Sequence, residues 1–491
     1  MAGVNRKRTI MIIICLLVIA AAVGFSMYRD SLTDILDRDA YKTLHKDIRE
    51  KAEAGAFTSQ DALMSYITGW ADSNNIEYTV DKAGNIIIRK DGSERKKKLS
   101  PTIVCVSCNY ETAEDNAKLL AGAAMIAQAD ITSGRRTVIF FNDEQNNGSG
   151  YRSVNKKYLK GKPKIIYLDY GNSSYISNSS FCRNNSSIVI KAGRYEPECD
   201  TAVKVSITGL ESGIIGPGIT KHPDPVSALG TLLARLKSKS AIYQLADFVV
   251  GTNGNMYPVS MNATIMLNSY AVPSFTKYID KLIKAWEKAY GKDYENLSYT
   301  YEVIDDPEQL PEESYSRKAS AKLTNVLYTL KNGIYKFGDT GTTVPEGKTP
   351  EDTCAINAIT GMHSEDDAIC VDLMTQAYDD SYLDLIMSDN TAAAELFECS
   401  IRENLYVPRF LNEKDSLQRT INSTYYKLNR DSAAGGSLQV TTDSYFTPCS
   451  YLAQINDKAD IVHIRYNSDN AAAMINTILC YMAFKGNKFL L

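Results

Sequence analysis

The sequence predicts an α/β protein with a mostly parallel sheet, helices on both faces of that sheet, an inserted α+β domain and an N-terminal transmembrane helix. Short apolar segments such as TIVCV (102–106), TVIFF (137–141) and KIIYLD (164–169) alternate with helical stretches, which is typical of buried parallel strands. Past residue 200 the rhythm changes, and the predicted strands and helices follow in an order typical of an α+β unit. The first residues contain one long uncharged segment.

That uncharged segment, from 9 to 27, is long and apolar enough to span a bilayer. The basic triplet RKR (6–8) precedes it, and basic residues stay on the cytoplasmic side of a membrane. A cleaved signal peptide is the alternative, because AAA at 20–22 offers small residues to a peptidase. The sequence thus predicts a single-pass protein of the cell membrane, held there by its N-terminal helix, with its C-terminal part outside the cytoplasm.

The elements of the α/β part follow in order. Residues 30–55 read as a charged helix, and TSQDALMSYITGWADSNN reads as an amphipathic helix with Thr58 or Ser59 as its N-cap. IEYTVDKAGNIIIRK (76–90) predicts a strand pair that turns at Ala-Gly-Asn. A further helix is expected over 114–129.

Later segments predict the inserted domain and the return to the first sheet. Strands are expected at VKVSITGL, NATIMLNSY and LSYTYEVI, with helices from 225 and 276 and another through 381–403. ADIVHIRY and AAAMINTILCYMAF then predict a closing strand and helix. The predicted divisions are a cytoplasmic tip and anchor (1–29), a first α/β part (30–199), a lid-like or dimerisation-like insert (200–408) and a second α/β part (409–491).

Composition limits the classes of function. The formal net charge of −4 argues against nucleic acid as the main partner. The ten cysteines are irregularly spaced and form no CxxC pair of pairs, so no disulfide scaffold is expected, although one or two bridges remain open. The chain has no Gly-x-Ser-x-Gly sequence, which argues against a serine hydrolase of the α/β-hydrolase type.

Polar residues cluster where the predicted parallel strands end. Asn109 and Glu111 follow the first strand, Asn142-Asp143-Glu144 follow the second, and Asp169 ends the third. Ligands of open α/β sheets collect at this edge. Several carboxylates there would repel one another unless a cation lay among them; the alternative is that they cap helices and turns.

Eight segments follow one another in an informative order: DKAGNIIIRK (81–90), SCNYET (107–112), EDNAKLLAGAAMIAQA (114–129), FFNDEQNNGS (140–149), YLDYG (167–171), VKVSITGL (203–210), MNATIMLNSY (261–270) and TTDSYF (441–446). In this order they resemble the zinc-dependent exopeptidases of the M20, M28 and M42 clan, and most closely the aminoacyl-histidine dipeptidase branch of M20. The resemblance implies a zinc-exopeptidase-like fold with an inserted lid through which two copies pair.

The resemblance also implies a metal site, with changes. Asp115 matches the family's bridging aspartate and Asp169 another ligand aspartate, whereas Asn109 and Glu111 stand where the family has His and Asp. The last ligand histidine of the family would fall close to Tyr466.

The glutamate pair of the family, one ligand and one base, corresponds to Asp143 and Glu144 or to Asn142 and Asp143. The two acids Asp143 and Glu144 are the candidate catalytic residues. Asp115, Asp169, Asp143 and Glu111 are the candidate metal ligands, should a metal bind.

Loss of both histidines leaves oxygen donors, which suit Ca²⁺ or Mg²⁺ better than zinc. Lys118 follows Asp115 by one helical turn and could pair with it in place of a metal. His463, on an apolar strand, is the one histidine that could stand in as a ligand; a packed role is its alternative. Asn109, Lys118, Asn142 and His463 are the candidate binding residues.

Three hypotheses follow. The first is a membrane-anchored homologue of the M20 peptidases without zinc peptidase activity and with no cofactor, which binds a peptide, an amino-acid derivative or a protein partner in the cleft. The alternative is an active metallo-dipeptidase or aminoacylase-type hydrolase that uses zinc or another divalent cation in an altered site. The third is a structural protein that forms a homodimer through the lid.

Overall fold

The computed structural model describes residues 33–485 except 94–95, 97, 132, 145–147, 212–221, 252–256, 431–435 and 442–446. Within these residues the α-helices are α1 (Arg38–Glu53), α2 (Gln60–Ser73), α3 (Ala117–Gln128), α4 (Ser149–Ser153), α5 (Pro225–Ser238), α6 (Val272–Tyr290), α7 (Arg317–Thr329), α8 (Asp380–Leu396), α9 (Ser416–Asn429), α10 (Cys449–Ile455) and α11 (Ala471–Phe484). Short 3-10 helices lie at Lys156–Leu159, Ser269–Ala271, Pro307–Gln309 and Phe337–Asp339.

The strands of the same residues are β1 (Tyr78–Val80), β2 (Ile86–Lys90), β3 (Thr102–Cys108), β4 (Arg136–Asn142), β5 (Lys164–Tyr170), β6 (Tyr175–Ser177), β7 (Ser179–Ser180), β8 (Cys182–Lys191), β9 (Arg194–Tyr195), β10 (Thr201–Thr208), β11 (Tyr243–Gly251), β12 (Ser260–Leu267), β13 (Ser298–Ile304), β14 (Ser314–Tyr315), β15 (Gly333–Lys336), β16 (Thr353–Glu365), β17 (Ala368–Ala377), β18 (Ser400–Val407), β19 (Phe410–Leu411), β20 (Gln439–Thr441) and β21 (Asp460–Tyr466).

The largest sheet has the order β1-β2-β4-β3-β5-β21-β6-β20. The pairs β3/β4, β3/β5, β5/β21 and β6/β20 are parallel, whereas β1/β2, β2/β4 and β21/β6 are antiparallel. The predicted α/β class is confirmed, but the sheet is mixed. A parallel crossover needs a dozen or more residues, and the short link after β5 lets β6 return only in the opposite direction.

Helices cover both faces of this sheet, as predicted. Val104 and Val106 of β3 pack with residues of α1, α2, α3, α9 and α11 on one face. Their neighbours Ile103 and Cys105 point to the other face and pack with α4 and α10. Because successive residues of a strand face opposite sides, a continuous apolar run is what a strand buried on both faces requires.

Two further sheets follow in the chain. One has four antiparallel strands in the order β11-β12-β10-β13, and the other has five in the order β15-β16-β17-β8-β18. Apolar residues of both sheets share a core with α5, α6 and α7. Val249 and Val303 are exposed on the edge strands of the four-stranded sheet. Dimerisation through the insert, and its boundaries at 200 and 408, stay predictions.

The helix predicted through 381–403 is too long, because α8 ends at Leu396. Glu398 takes a left-handed conformation with φ 55, and the N–H of Cys399 donates to the carbonyl oxygen of Ala394 at 2.9 Å. This local reversal satisfies a terminal carbonyl of the helix and starts β18. Every cysteine of the described residues is a free thiol.

The prediction of a single-pass membrane protein is corrected here. Among the described residues, no helix has the length and the apolar character needed to cross a bilayer. The predicted span, 9–27, and most of the TTDSYF segment lie outside the described residues.

The turn between β1 and β2 ties three elements together through Asn85, which is fully buried. Its amide Nδ2 donates to Asp81 Oδ2 and to the carbonyl oxygen of Gly150, both at 3.0 Å. Its Oδ1 accepts the N–H of Asn142 at 2.9 Å. One side chain thus joins the hairpin to the end of β4 and to the start of α4.

We expect Asn85→Ala to lower the free energy of unfolding by about 2–4 kcal/mol, because it leaves the N–H of Asn142 and the carbonyl of Gly150 buried without this partner. Urea denaturation followed by circular dichroism measures the change. Asn74→Ala is the control, since its exposed amide bonds only the carbonyl of Trp70 and the side chain of Gln128. Equal midpoints for the two variants would contradict this role of Asn85.

Candidate functional site

The candidate site lies at the carboxyl edge of β3, β4, β5 and β21. β5 and β21 run parallel with Asp169 opposite Arg465, and β6 places Tyr175 on the other side of Arg465. Residues opposite each other in adjacent strands share a face of the sheet. The register alone therefore sets Asp169, Arg465 and Tyr175 in one row.

Asp169 and Arg465 form an ion pair within that row. Nε of Arg465 lies 3.6 Å from Oδ2 of Asp169, and the two side chains are 24% and 22% exposed. Burial by itself would raise the pKa of Asp169, but the charge of Arg465 and the contact with His463 outweigh it and hold the pKa below its usual value. The carboxylate therefore stays ionised beside a cation that the protein itself supplies.

Gly171 makes room for this guanidinium. A Cβ at position 171 would lie 2.2 Å from one terminal nitrogen of Arg465 and 2.4 Å from its Nε. The N–H of Gly171 donates to the carbonyl oxygen of Tyr466 at 3.1 Å. The YLDYG segment thus needs glycine at this position because the backbone passes directly over the Arg465 side chain.

His463 is 1% exposed and lies in the same layer. Its ring packs against Tyr167 and Tyr175, with centroid distances of 5.2 and 5.3 Å. Nε2 of His463 lies 3.5 Å from Oδ2 of Asp169. Burial lowers the pKa of His463, so the imidazole is neutral at pH 7 and orients the carboxylate without a second positive charge.

Asn109, at the position of the family's first ligand histidine, holds the loop after β3. Its Oδ1 accepts the N–H groups of Glu111 and Thr112 at 2.8 and 3.2 Å. Its Nδ2 donates to the carbonyl oxygens of Asp143 and Glu144. All the hydrogen-bonding capacity of this amide is used by the backbone, so no lone pair remains for a metal.

Polar side chains at the end of β4 and just after it also form hydrogen bonds within the protein. Asp143 is buried, and its Oδ1 accepts the N–H of Gly148 at 2.7 Å while Ser107 Oγ lies 3.3 Å from its Oδ2. Nδ2 of Asn142 donates to the carbonyl oxygen of Ala83 at 3.0 Å. Glu144, the other candidate catalytic acid, is exposed. Asp143 therefore joins the end of β4 to Gly148, the residue before α4.

The remaining predicted residues lie at the rim. Glu111 and Asp115 are exposed, and Tyr110 Oη donates to Glu111 Oε1 at 3.2 Å. Lys118 donates to Ser468 Oγ and, within the described residues, forms no ion pair with Asp115. Its predicted pairing with that carboxylate is therefore replaced by a contact with the segment after β21.

Two zinc ions do not fit this set of residues. The amide of Asn109 is saturated by the backbone. Asp143 already accepts a backbone N–H and a serine hydroxyl. Asp169 already pairs with Arg465 and contacts His463. Tyr466, near the position of the last ligand histidine, is buried in the apolar core. The ligand roles assigned to Asp115, Asp143, Asp169 and Glu111 stay predictions that this geometry does not favour.

Sequence reasoning named His463 but missed Arg465 and Tyr175. The signal for Arg465 was present, because alternation along IVHIRY places it on the same face as His463. A charged residue on the buried face of an apolar strand requires a partner. The identity of that partner depended on the register with β5.

No protein-family model and no curated protein sequence matches the chain. Among solved structures, aminoacylhistidine dipeptidase from Vibrio alginolyticus is similar with a TM-score of 0.55 and 14% identity, over 91% of this chain and 96% of that one. The aminopeptidase PepT from Bacillus cereus gives a TM-score of 0.44 and 9% identity, over 91% and 99%. A tripeptidase from Staphylococcus aureus gives 0.43 and 8%, over 92% and 99%.

The similarity to the dipeptidase shows the fold. The chain has the M20-like fold that its motifs predicted, and the similarity extends over almost all of both chains.

We expect Arg465→Met to lower the free energy of unfolding by roughly 2–4 kcal/mol, because it leaves a largely buried carboxylate without its cation. Arg465→Lys retains the charge and should lower the free energy of unfolding by less. The double variant Asp169→Asn/Arg465→Met should also lose less than Arg465→Met, since no charge remains. Urea denaturation at pH 7 measures all three, and identical losses for the single and double variants would contradict the pairing.

The pair also predicts a pH dependence. The pKa of Asp169 lies below its usual value in the folded protein. The ionised carboxylate therefore contributes its full stabilisation of the fold above the unfolded pKa of about 3.9. This stabilisation is lost as the pH falls through the lower folded value. The destabilisation caused by Asp169→Asn should therefore be largest near neutral pH and should shrink in acid, as denaturation midpoints at several pH values can test.

Proposed function

We propose that the chain is a binding protein with an exopeptidase fold, which holds a peptide or an amino-acid derivative at the strand-end site without zinc-dependent hydrolysis. The observation that carries this proposal is the Asp169–Arg465 pair, at 3.6 Å, where the family resemblance would place a metal ligand. An internal guanidinium supplies the positive charge, and it does not lower the pKa of a bound water as a metal ion does.

The negative charge at the rim of the site favours a ligand that carries an amine. Tyr110 lies beside two exposed carboxylates, Glu111 and Glu144, and their negative charge raises the pKa of Tyr110. Carboxylates next to an aromatic face favour an ammonium group through charge and cation–π attraction. The free α-amine of a peptide or of an amino-acid derivative has this chemistry.

We expect aminoacyl-histidine dipeptides to bind without being cleaved, whether or not zinc or manganese is added. Titration calorimetry measures binding, and release of free histidine measures turnover. Glu111→Gln/Glu144→Gln should weaken binding by about tenfold, which corresponds to about 1.4 kcal/mol. An N-acetylated dipeptide should bind the wild-type protein more weakly than the free dipeptide by a similar factor.

Glu53→Gln is the matched control, because this exposed acid pairs with Arg49 on α1. Metal-dependent turnover that Asp169→Asn abolishes would overturn the proposal. Equal affinity for free and N-acetylated dipeptides would show that the site does not recognise the free amine.

One observation favours a second candidate, an active hydrolase with an altered metal site. Nε2 of His463 and Oδ2 of Asp169 are 3.5 Å apart, which is a separation that two ligands of one metal ion can have. Arg465 shares the same carboxylate and opposes a bound cation. The metal content of protein purified without chelators distinguishes the two candidates, since only the hydrolase requires an ion that His463→Ala removes.

A further inference from the structure

A second cluster of donor side chains lies on the hairpin of β16 and β17, in the five-stranded sheet. His363 is opposite Cys370 in the register of this hairpin, and Glu365 is opposite Ala368. His363 and Glu365 are two residues apart on one strand, so their side chains share the face on which Cys370 lies. One imidazole, one carboxylate and one thiol thus meet on a single surface.

The donor atoms of His363, Glu365 and Cys370 all lie within 4.8 Å of one another. Nε2 of His363 is 3.4 Å from Oε1 of Glu365. Ligands at ~2.0–2.3 Å from a tetrahedral ion lie roughly 3.3–3.8 Å apart, so this edge already has the required length. His363 and Glu365 are exposed and Cys370 is buried beneath them, which leaves an open side for a water molecule.

A further carboxylate orients the imidazole. Nδ1 of His363 lies 2.8 Å from Oδ2 of Asp372, so its Nε2 faces the cluster. Asp372 is fixed in turn, because Ser187 Oγ donates to its Oδ1 at 2.6 Å and Asn404 donates to that serine at 2.7 Å. A carboxylate behind a histidine is the usual support of a metal-bound imidazole.

We propose that His363 Nε2, a carboxylate oxygen of Glu365 and Cys370 Sγ bind a transition-metal ion on the face of the five-stranded sheet. Zinc suits this mixture of nitrogen, oxygen and sulfur donors, and water completes the tetrahedron. Binding displaces the thiol proton of Cys370 to solvent, because the thiolate is the ligand. This site is separate from the strand-end site and does not depend on the function proposed for that site.

Arg402, on β18, limits the affinity of this site. Its two terminal nitrogens lie 3.1 and 2.7 Å from the two oxygens of Glu365. A bound ion must share that carboxylate with a guanidinium, whose charge opposes the metal. Arg402→Gln is therefore expected to strengthen metal binding, whereas loss of a ligand weakens it.

The test uses the full chain, freed of metal and then titrated with zinc alone and with cobalt alone. We expect one cobalt per chain at this site and a thiolate-to-cobalt absorption band that Cys370→Ser removes. His363→Ala and Glu365→Gln should weaken zinc binding by at least about 100-fold, and Asp372→Asn by about 10-fold or more. Glu365→Gln changes an exposed side chain and keeps the test valid if Cys370→Ser alters folding.

The matched controls are Cys399→Ser and His222→Ala, which change a buried thiol and an imidazole outside the cluster. Both should leave the cobalt band and the zinc affinity unchanged. The proposal is overturned if no thiolate–cobalt band forms, or if zinc binding survives both His363→Ala and Glu365→Gln. Weaker binding in Arg402→Gln would likewise contradict the proposed competition for Glu365.

Discussion

The Asp169–Arg465 pair is the interaction on which the strand-end site depends. It joins β5 to β21, which come from distant parts of the chain and run side by side in the central sheet. The ionised carboxylate is tolerated in a largely buried layer because the guanidinium and the neutral imidazole of His463 surround it. Gly171 leaves the space that this arrangement needs.

The other polar groups at the strand ends obey the same constraint, since a buried polar atom must have a hydrogen-bond partner. In a metallopeptidase, metal ions can meet much of that requirement. Here the backbone meets it, because Asn109 binds the loop after β3 and Asp143 binds the loop before α4. The carboxylates that remain, Glu111 and Glu144, are exposed beside Tyr110 and give the rim its negative charge.

The apolar cores of the central sheet and the polar groups at its strand ends have separate physical origins. The two cores of the central sheet consist of apolar side chains that alternate along β3, β4 and β5, and the polar strand-end residues Asn109, Asp143 and Asp169 are not among them. Similarity to a dipeptidase over most of both chains at 14% identity agrees with this separation.

The sequence by itself determined most elements and the helices on both faces of the sheet, because these follow from local periodicity and residue type. It left the N-cap of α2 open between Thr58 and Ser59, and the structure shows that Ser59 is the cap. It made α8 too long and the sheet too uniformly parallel, and its membrane location was not upheld. Only the tertiary structure decided that Arg465 faces Asp169 and that His363 lies opposite Cys370. It also decided that the side chain of Asn109 spends its hydrogen bonds on backbone groups. The reason is physical: the register between strands is set by the packing of the whole sheet, which no local pattern contains.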